Sequence, residues 1–310
     1  MSQTVYRRRS RRFAMSIVVP FLNAGPWLEV TVPSLLGQSV PVELVFVNDG
    51  STDDSGARLA VVLAAHQARI TERRHQVRVV RLLSNQGRSA ARNAGVDAAS
   101  ASLLGFVDAD VALPSGWAAR HIEAHTDESA VAIIPRRIPV GIDAREAFHR
   151  YLFAKEERLA THDGGYVLPW KQFVTAAVTM RRDAFEAVGG FDPAIRYGED
   201  TDLGLRLGRA HPRGLRYSPE SFAYHHDPDT LVRALSNFAR FGQRDLPTLQ
   251  QRHPTLRRDT ASTGLRGTIA RSLAKHVPSR LVRGMLPVLP SSLHTLGVRG
   301  LCLRALHSSA

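Results

Sequence analysis

The sequence predicts an α/β fold, a doubly wound and mostly parallel sheet with helices on both faces. Three observations carry this. Apolar runs such as Ser16-Ile17-Val18-Val19 and Leu103-Leu104-Gly105-Phe106-Val107 are continuous rather than alternating, as in strands buried on both faces. Segments with helical spacing separate these runs, so the strands need right-handed crossovers and run parallel. The 310 residues, 44% hydrophobic and 22% charged, suffice for one large globular domain with appendages.

Taken in order, residues 1–14 are a polar, Arg-rich arm. Residues 15–20 are the first strand, and Asn23-Ala24-Gly25-Pro26 turns the chain. Leu28, Val32, Leu35 and Leu36 give helical spacing over 27–38, with Pro33 inside it. A strand at 42–47 ends in Asn48-Asp49-Gly50-Ser51-Thr52-Asp53, which is turn chemistry followed by helix-capping residues. A helix over 57–70, a strand over 77–83 and an Ala-rich helix over 90–99 follow, the last entered through Gln86-Gly87-Arg88-Ser89. After the strand at 103–107 the pattern predicts a helix at 115–126, a strand at 131–134, a polar helix at 143–159 and a loop at 164–170. A strand at 173–180, a helix at 182–188, a helix opening at Glu199, a strand at 215–224 and a helix at 231–243 complete the domain. Beyond Asp245, five prolines break the helical stretches. The division is therefore an arm (1–14), a domain (15–243, in two halves, 15–112 and 113–243) and a basic helical extension (244–310).

The formal charge is +13, with arginine concentrated in the arm and beyond residue 252. Few aromatics interleave with these arginines, so a nucleic-acid stacking surface is not expected. The tail over 264–310 mixes Arg with Leu, Val and Ile and is a candidate for binding an anionic membrane face. A single Cys302 excludes an intrachain disulfide and a Cys-based zinc site, which suits a reducing cytoplasm. The apolar run after the basic arm is too short for a signal segment, and no window reaches the length of a membrane span. The expected location is cytoplasmic, with peripheral association on the inner membrane face through the tail.

Two acidic clusters carry the chemistry. Asp108 and Asp110 stand two residues apart and project together from the carboxyl end of a strand, where open α/β sheets place ligands. Two convergent carboxylates suit Mg²⁺ or Mn²⁺ on a diphosphate, although an Asp-rich turn can also simply end a strand. The second cluster, Glu199-Asp200-Thr201-Asp202, opens a helix, where acids also serve the helix dipole. His225 and His226 end the strand that follows it.

Taken together, Ser16 to Asn23, Val47-Asn48-Asp49-Gly50-Ser51-Thr52-Asp53, Gly87-Arg88-Ser89-Ala90-Ala91-Arg92-Asn93-Ala94-Gly95, Phe106-Val107-Asp108-Ala109-Asp110, and Gly189-Gly190-Phe191-Asp192 with Gly198-Glu199-Asp200-Thr201-Asp202-Leu203 resemble the family 2 glycosyltransferases of the GT-A fold. The resemblance spans about residues 15–242. It implies a Rossmann-like GT-A sheet and an inverting, metal-dependent transfer of one sugar from a nucleotide sugar, with UDP favoured. Asp49 would accept a hydrogen bond from uracil, although Asn48 stands where the family often has Asp. Pro20 and Asn23 would meet base and ribose, and Arg88 and Arg92 the diphosphate. Asp108 would hold ribose or sugar hydroxyls. Asp110 would ligate the metal, with His225 as a further ligand that favours Mn²⁺.

Asp200 would be the general base, with Glu199 beside it on the acceptor side; Asp202 and Glu199 are alternatives for the base. Trp170 and Trp117 could stack on sugars or simply pack. The acceptor, whether glycan, lipid-linked or small molecule, is not encoded in any motif. The transmembrane helices and Gln-x-x-Arg-Trp motif of processive members are missing from this sequence, so single-sugar transfer is expected. A nucleotidyltransferase of similar fold and a non-catalytic sugar-nucleotide or membrane-binding protein are the alternatives. A dinucleotide oxidoreductase is disfavoured because no Gly-x-Gly-x-x-Gly follows a strand.

Overall fold

A computed structural model describes residues 13–141, 156–163, 165–226, 233, 237 and 240–254. Residues 1–12 of the arm, most of the helices expected at 143–159 and 231–243, and the tail lie outside the described residues. No helix among the described residues is long and apolar enough to cross a membrane.

The first half follows the predicted alternation. β1 (Met15–Phe21), β2 (Glu43–Asn48), β3 (Gln76–Arg81) and β4 (Leu103–Val107) pair in parallel in the order β3-β2-β1-β4. They are separated by α1 (Gly25–Leu36), α2 (Ser55–Ala65), α3 (Gln67–Glu72) and α4 (Arg88–Ala98). The helix expected at 57–70 is two helices that meet at His66, whose Nδ1 bonds the Val62 carbonyl. Pro33 sits within α1 without ending it.

β5 (Val111–Ala112), α5 (Trp117–Ala124), β6 (Ala132–Pro139), β7 (Tyr166–Val167), β8 (Ala177–Arg181), α6 (Arg182–Ala187), α7 (Glu199–Ala210) and β9 (Leu215–His225) extend the sheet as β4-β8-β6-β9-β5, with β7 also on β9. β8 is antiparallel to β4 and β6, whereas β9 is parallel to β6 with a register shift between Pro135 and Arg136. β1–β4, β6 and β9 thus share one direction, and the sheet is mostly parallel. The strand expected from 173 begins only at Ala177, because Trp170–Gln172 forms a short 3₁₀ turn first. β7 lies in the stretch expected to be a loop.

The two-residue period of each strand sorts the core into two layers. Ile17, Val19, Leu44 and Phe46 pack under α1, α2 and α5; Val18, Val45, Val47 and Phe106 pack under α4, α6 and α7. α4 approaches the sheet closely because Gly95 lies there: a Cβ would overlap Val18 Cγ1. Phe13, assigned by sequence to the arm, is buried.

A buried histidine chain ties α5 to the far sheet. His125 Nδ1 faces the Ala130 carbonyl at 3.2 Å, and a carbonyl only accepts, so that nitrogen carries the proton. His125 Nε2 then accepts from Thr179 Oγ1 at 3.0 Å. Thr179 in turn accepts from His121 Nδ1 at 2.8 Å, leaving His121 Nε2 to accept from Ser221 Oγ at 2.8 Å. This pattern satisfies all four ring nitrogens with both rings neutral. Burial lowers His121 to about 3, and it outweighs the Ala130 carbonyl bond to lower His125 to about 4.

These folded values lie below the unfolded value near 6.5, so the stabilisation is complete above pH 6.5 and falls as the unfolded chain takes up protons first. Denaturant unfolding should show stability falling by up to about 1.4 kcal/mol per pH unit for each ring between pH 6.5 and 4.5. A His125→Asn variant should show a shallower fall, and equal slopes in both proteins would contradict this account.

Candidate active site

The carboxyl ends of β1, β2 and β4 and the N-termini of α4 and α7 open onto one cavity of about 1030 Å³. Its wall includes Pro20, Asn23, Asp49, Arg88, Arg92, Asp108, Asp110, Glu199, Asp200 and His225, so ten of the residues singled out by sequence come together. Trp170 does not join them. It starts the 3₁₀ turn and packs near Gly208 and the cluster of Ile195, Leu205 and Leu249. Trp117 is buried and stacks on His121 at 4.1 Å. Trp27, Arg137, Arg196 and Tyr197 line the cavity and were not anticipated. For Tyr197 a signal existed, its place three residues before Asp200.

Several of the expected donor-side residues are already occupied. Asp49 is 4% exposed; its two oxygens accept from the Gln86 and Gly87 backbone N–H groups at 2.8 and 3.0 Å. It thereby fixes the Gly87 turn, whose φ of 93° suits glycine, at the N-terminus of α4. Asn23, itself at φ 50°, uses Oδ1 to accept from Thr52 N at 2.9 Å and so laces the first loop to the second. Arg88 is exposed, 3.8 Å from Glu199.

Arg92, expected to meet the diphosphate, lines the cavity from a buried position. It is 1% exposed, and its guanidinium donates to Glu199 Oε1 at 2.9 Å and Asp108 Oδ1 at 2.8 Å. Its carbon also lies 5.3 Å from the Phe191 ring centre. Burial opposes its charge, but Asp108 and Glu199 outweigh this and raise its pKa.

The three acids of the second cluster separate by environment. Asp202 turns away from the cavity and is locked by Arg206 and by His253 Nε2 at 2.9 Å. Glu199, 4% exposed, is held by Arg92. Asp200 lines the cavity and accepts only a local bond, from Thr201, among the described residues. Burial, then the charge of Glu199, pushes it up to about 6 despite the Thr201 backbone N–H and the two arginines. A carboxyl poised there can take a proton near neutral pH.

Across the cavity, Asp110 Oδ2 stands 3.5 Å from His225 Nε2, and Asp110's carbonyl accepts from the His226 N–H at 2.8 Å. Burial lowers His225, but Asp110, with Asp108 behind it, outweighs this and raises it. No three acidic, imidazole or thiol groups converge among the described residues. One carboxylate and one imidazole beside an open cavity nevertheless fit a mixed oxygen and nitrogen donor set such as Mn²⁺ takes, with ligand oxygens completing it.

Comparison with known proteins fits this layout. The family described as "Glycosyl transferase family 2" matches residues 16–189. The pre-mycofactocin glycosyltransferase of Mycobacterium tuberculosis is 28% identical over 254 residues, 77% of this chain and 48% of that one. The uncharacterized glycosyltransferase EpsJ of Bacillus subtilis is 29% identical over 232 residues, 70% and 62% of the two chains. The chain therefore spans about half to three fifths of these relatives.

Among solved structures, the mannosyltransferase PcManGT of Pyrobaculum calidifontis, in complex with GDP-Man and Mn²⁺, aligns with a TM-score of 0.61 at 14% identity, covering 97% of this chain and 89% of that one. S. aureus TarS 1-349 in complex with UDP-GlcNAc aligns with a TM-score of 0.53 at 15% identity, covering 93% and 90%. These likenesses establish the GT-A fold.

Replacing Arg92 alone strands two carboxylates in the interior. Arg92→Met should cost about 3–5 kcal/mol in denaturant unfolding. Adding Asp108→Asn and Glu199→Gln should return part of that loss. A single variant as stable as the parent would contradict the assignment.

Proposed function

The chain belongs to glycosyl transferase family 2, and from that premise we propose that it is an inverting transferase that moves one sugar from a nucleotide sugar to an acceptor hydroxyl. The observation that carries the reading is the meeting, in one cavity, of Asp200 with its raised pKa and the Asp110–His225 pair. The nucleotide lies at the ends of β1 and β2, against Pro20 and the turn that Asp49 fixes. The diphosphate faces the N-terminus of α4, where Gly87 allows close approach and Arg88 supplies charge. UDP remains the favoured donor, since each Asp49 oxygen keeps a lone pair beyond its one backbone N–H and Asp49 lines the cavity. The two structural neighbours are in complex with GDP-Man and UDP-GlcNAc, which supports a nucleotide sugar as the class.

In the transfer, the acceptor hydroxyl gives its proton to an Asp200 oxygen as its own oxygen bonds the anomeric carbon. The bond from that carbon to the diphosphate oxygen breaks on the opposite face, and the nucleoside diphosphate leaves with the electron pair. Glu199, fixed by Arg92, keeps Asp200 basic. Asp110 and His225 would hold a divalent cation, which when bound neutralises charge on the leaving diphosphate. A cytoplasmic site of action and membrane association through the tail remain part of the proposal.

Asp200→Asn should lower kcat about 10²–10⁴-fold and leave donor affinity unchanged. In the parent protein, kcat should rise as pH increases through about 6, because the base works only when ionised. Asp110→Ala should abolish Mn²⁺-dependent thermal stabilisation by nucleotide sugars. Full turnover in Asp200→Asn would exclude Asp200 as the base.

A further inference from the structure

Residues 241–254 lie beyond the stretch that the family matches, and the sequence assigns most of them to an appendage. In the structure they grip the segment that carries Asp200. Asp245 is 2% exposed, and its carboxylate accepts from the backbone N–H groups of Arg196 at 3.3 Å and Tyr197 at 3.0 Å. Gly198 follows at φ 79°, and the Phe241 ring lies where a Cβ on Gly198 would stand. α8 (Leu246–Arg252) continues the grip. Leu249 packs with Ile195 and Leu205, and Arg252 pairs with Asp192. His253 Nδ1 accepts from Arg209, so its Nε2 carries the proton and donates to Asp202, one turn into α7.

We infer that Asp245 is a positioning residue for the transfer: it fixes the Arg196–Tyr197 turn so that the first turn of α7 presents Asp200 to the acceptor. The inference rests on the glycosyltransferase reading. Burying a carboxylate is costly unless its hydrogen bonds are made. Apart from Arg244 at 4.0 Å, the described partners of this one are two consecutive N–H groups placed before the helix, where no intrahelical carbonyl serves them. They stand four and three residues ahead of Asp200, and both of their residues line the cavity. A loosened turn would move the base and the adjoining wall together, and misplacement by about 1 Å can cost about 10²-fold in rate.

The test uses the full chain. Asp245→Asn keeps the shape but turns one acceptor oxygen into a donor that faces an N–H group. Relative to the parent, kcat should fall about 10–100-fold while donor Kd, measured by titration, stays within about threefold. The acid limb of the kcat profile should move to lower pH, because water would reach Asp200; the charges facing it are Glu199, Arg92 and Arg88. If the amide variant loses its cooperative melt, Phe241→Leu loosens the same turn from its other side and is read by the same three quantities. Unchanged kcat and acid limb would overturn the inference, as would equal losses of kcat and donor affinity. An inert parent overturns the glycosyltransferase reading and the inference with it. An active parent with an unaltered variant overturns the inference alone.

Discussion

The buried guanidinium of Arg92 is the constraint on which the site depends. A cation with 1% exposure persists only if carboxylates come to it. One comes from Asp108, 16 residues along the chain, and the other from Glu199, 107 residues along. Gly95 makes this reachable, since it lets α4 lie close on β1 and β2 and so sets the depth of Arg92. The end of β4 and the start of α7 are thereby joined through one side chain. Burial, with Glu199 fixed beside it, then raises the pKa of Asp200, the residue that faces the cavity.

The same residue type serves different ends according to what surrounds it. Asp49 spends both oxygens on backbone N–H groups and shapes a turn. Asp202 is enclosed by Arg206 and His253, and Asp245 by the Arg196–Tyr197 turn. Asp110 meets an imidazole, and Asp200 meets the open cavity. Acids gripped by the protein's own donors shape the scaffold, and those that face the cavity with few such donors are the most available to a ligand.

Much of this was legible in the sequence. Continuous apolar runs located β1, β2 and β4, and residue spacing put Asp108 and Asp110 at the end of a strand. Local patterns did not show which carboxylates were already taken. Arg92 reads as a diphosphate ligand beside a glycine turn, and only the three-dimensional contacts with Asp108 and Glu199 reveal it as buried and paired. Trp170 looks like a sugar platform until the 3₁₀ turn carries it against Gly208. β7 and the late start of β8 are tertiary effects, since two residues pair only because β9 offers an edge. The grip of Asp245 was hidden because prolines near it read as the end of order.

The most direct test of the account is a double-mutant cycle on denaturant stability with Asp108→Asn and Glu199→Gln. Each single change leaves Arg92 one carboxylate, and the double change leaves it none. The account predicts that the double variant loses at least about 1 kcal/mol more than the sum of the singles, as groups sharing one partner do. Additivity within about 0.5 kcal/mol would mean that Arg92 does not couple the two halves.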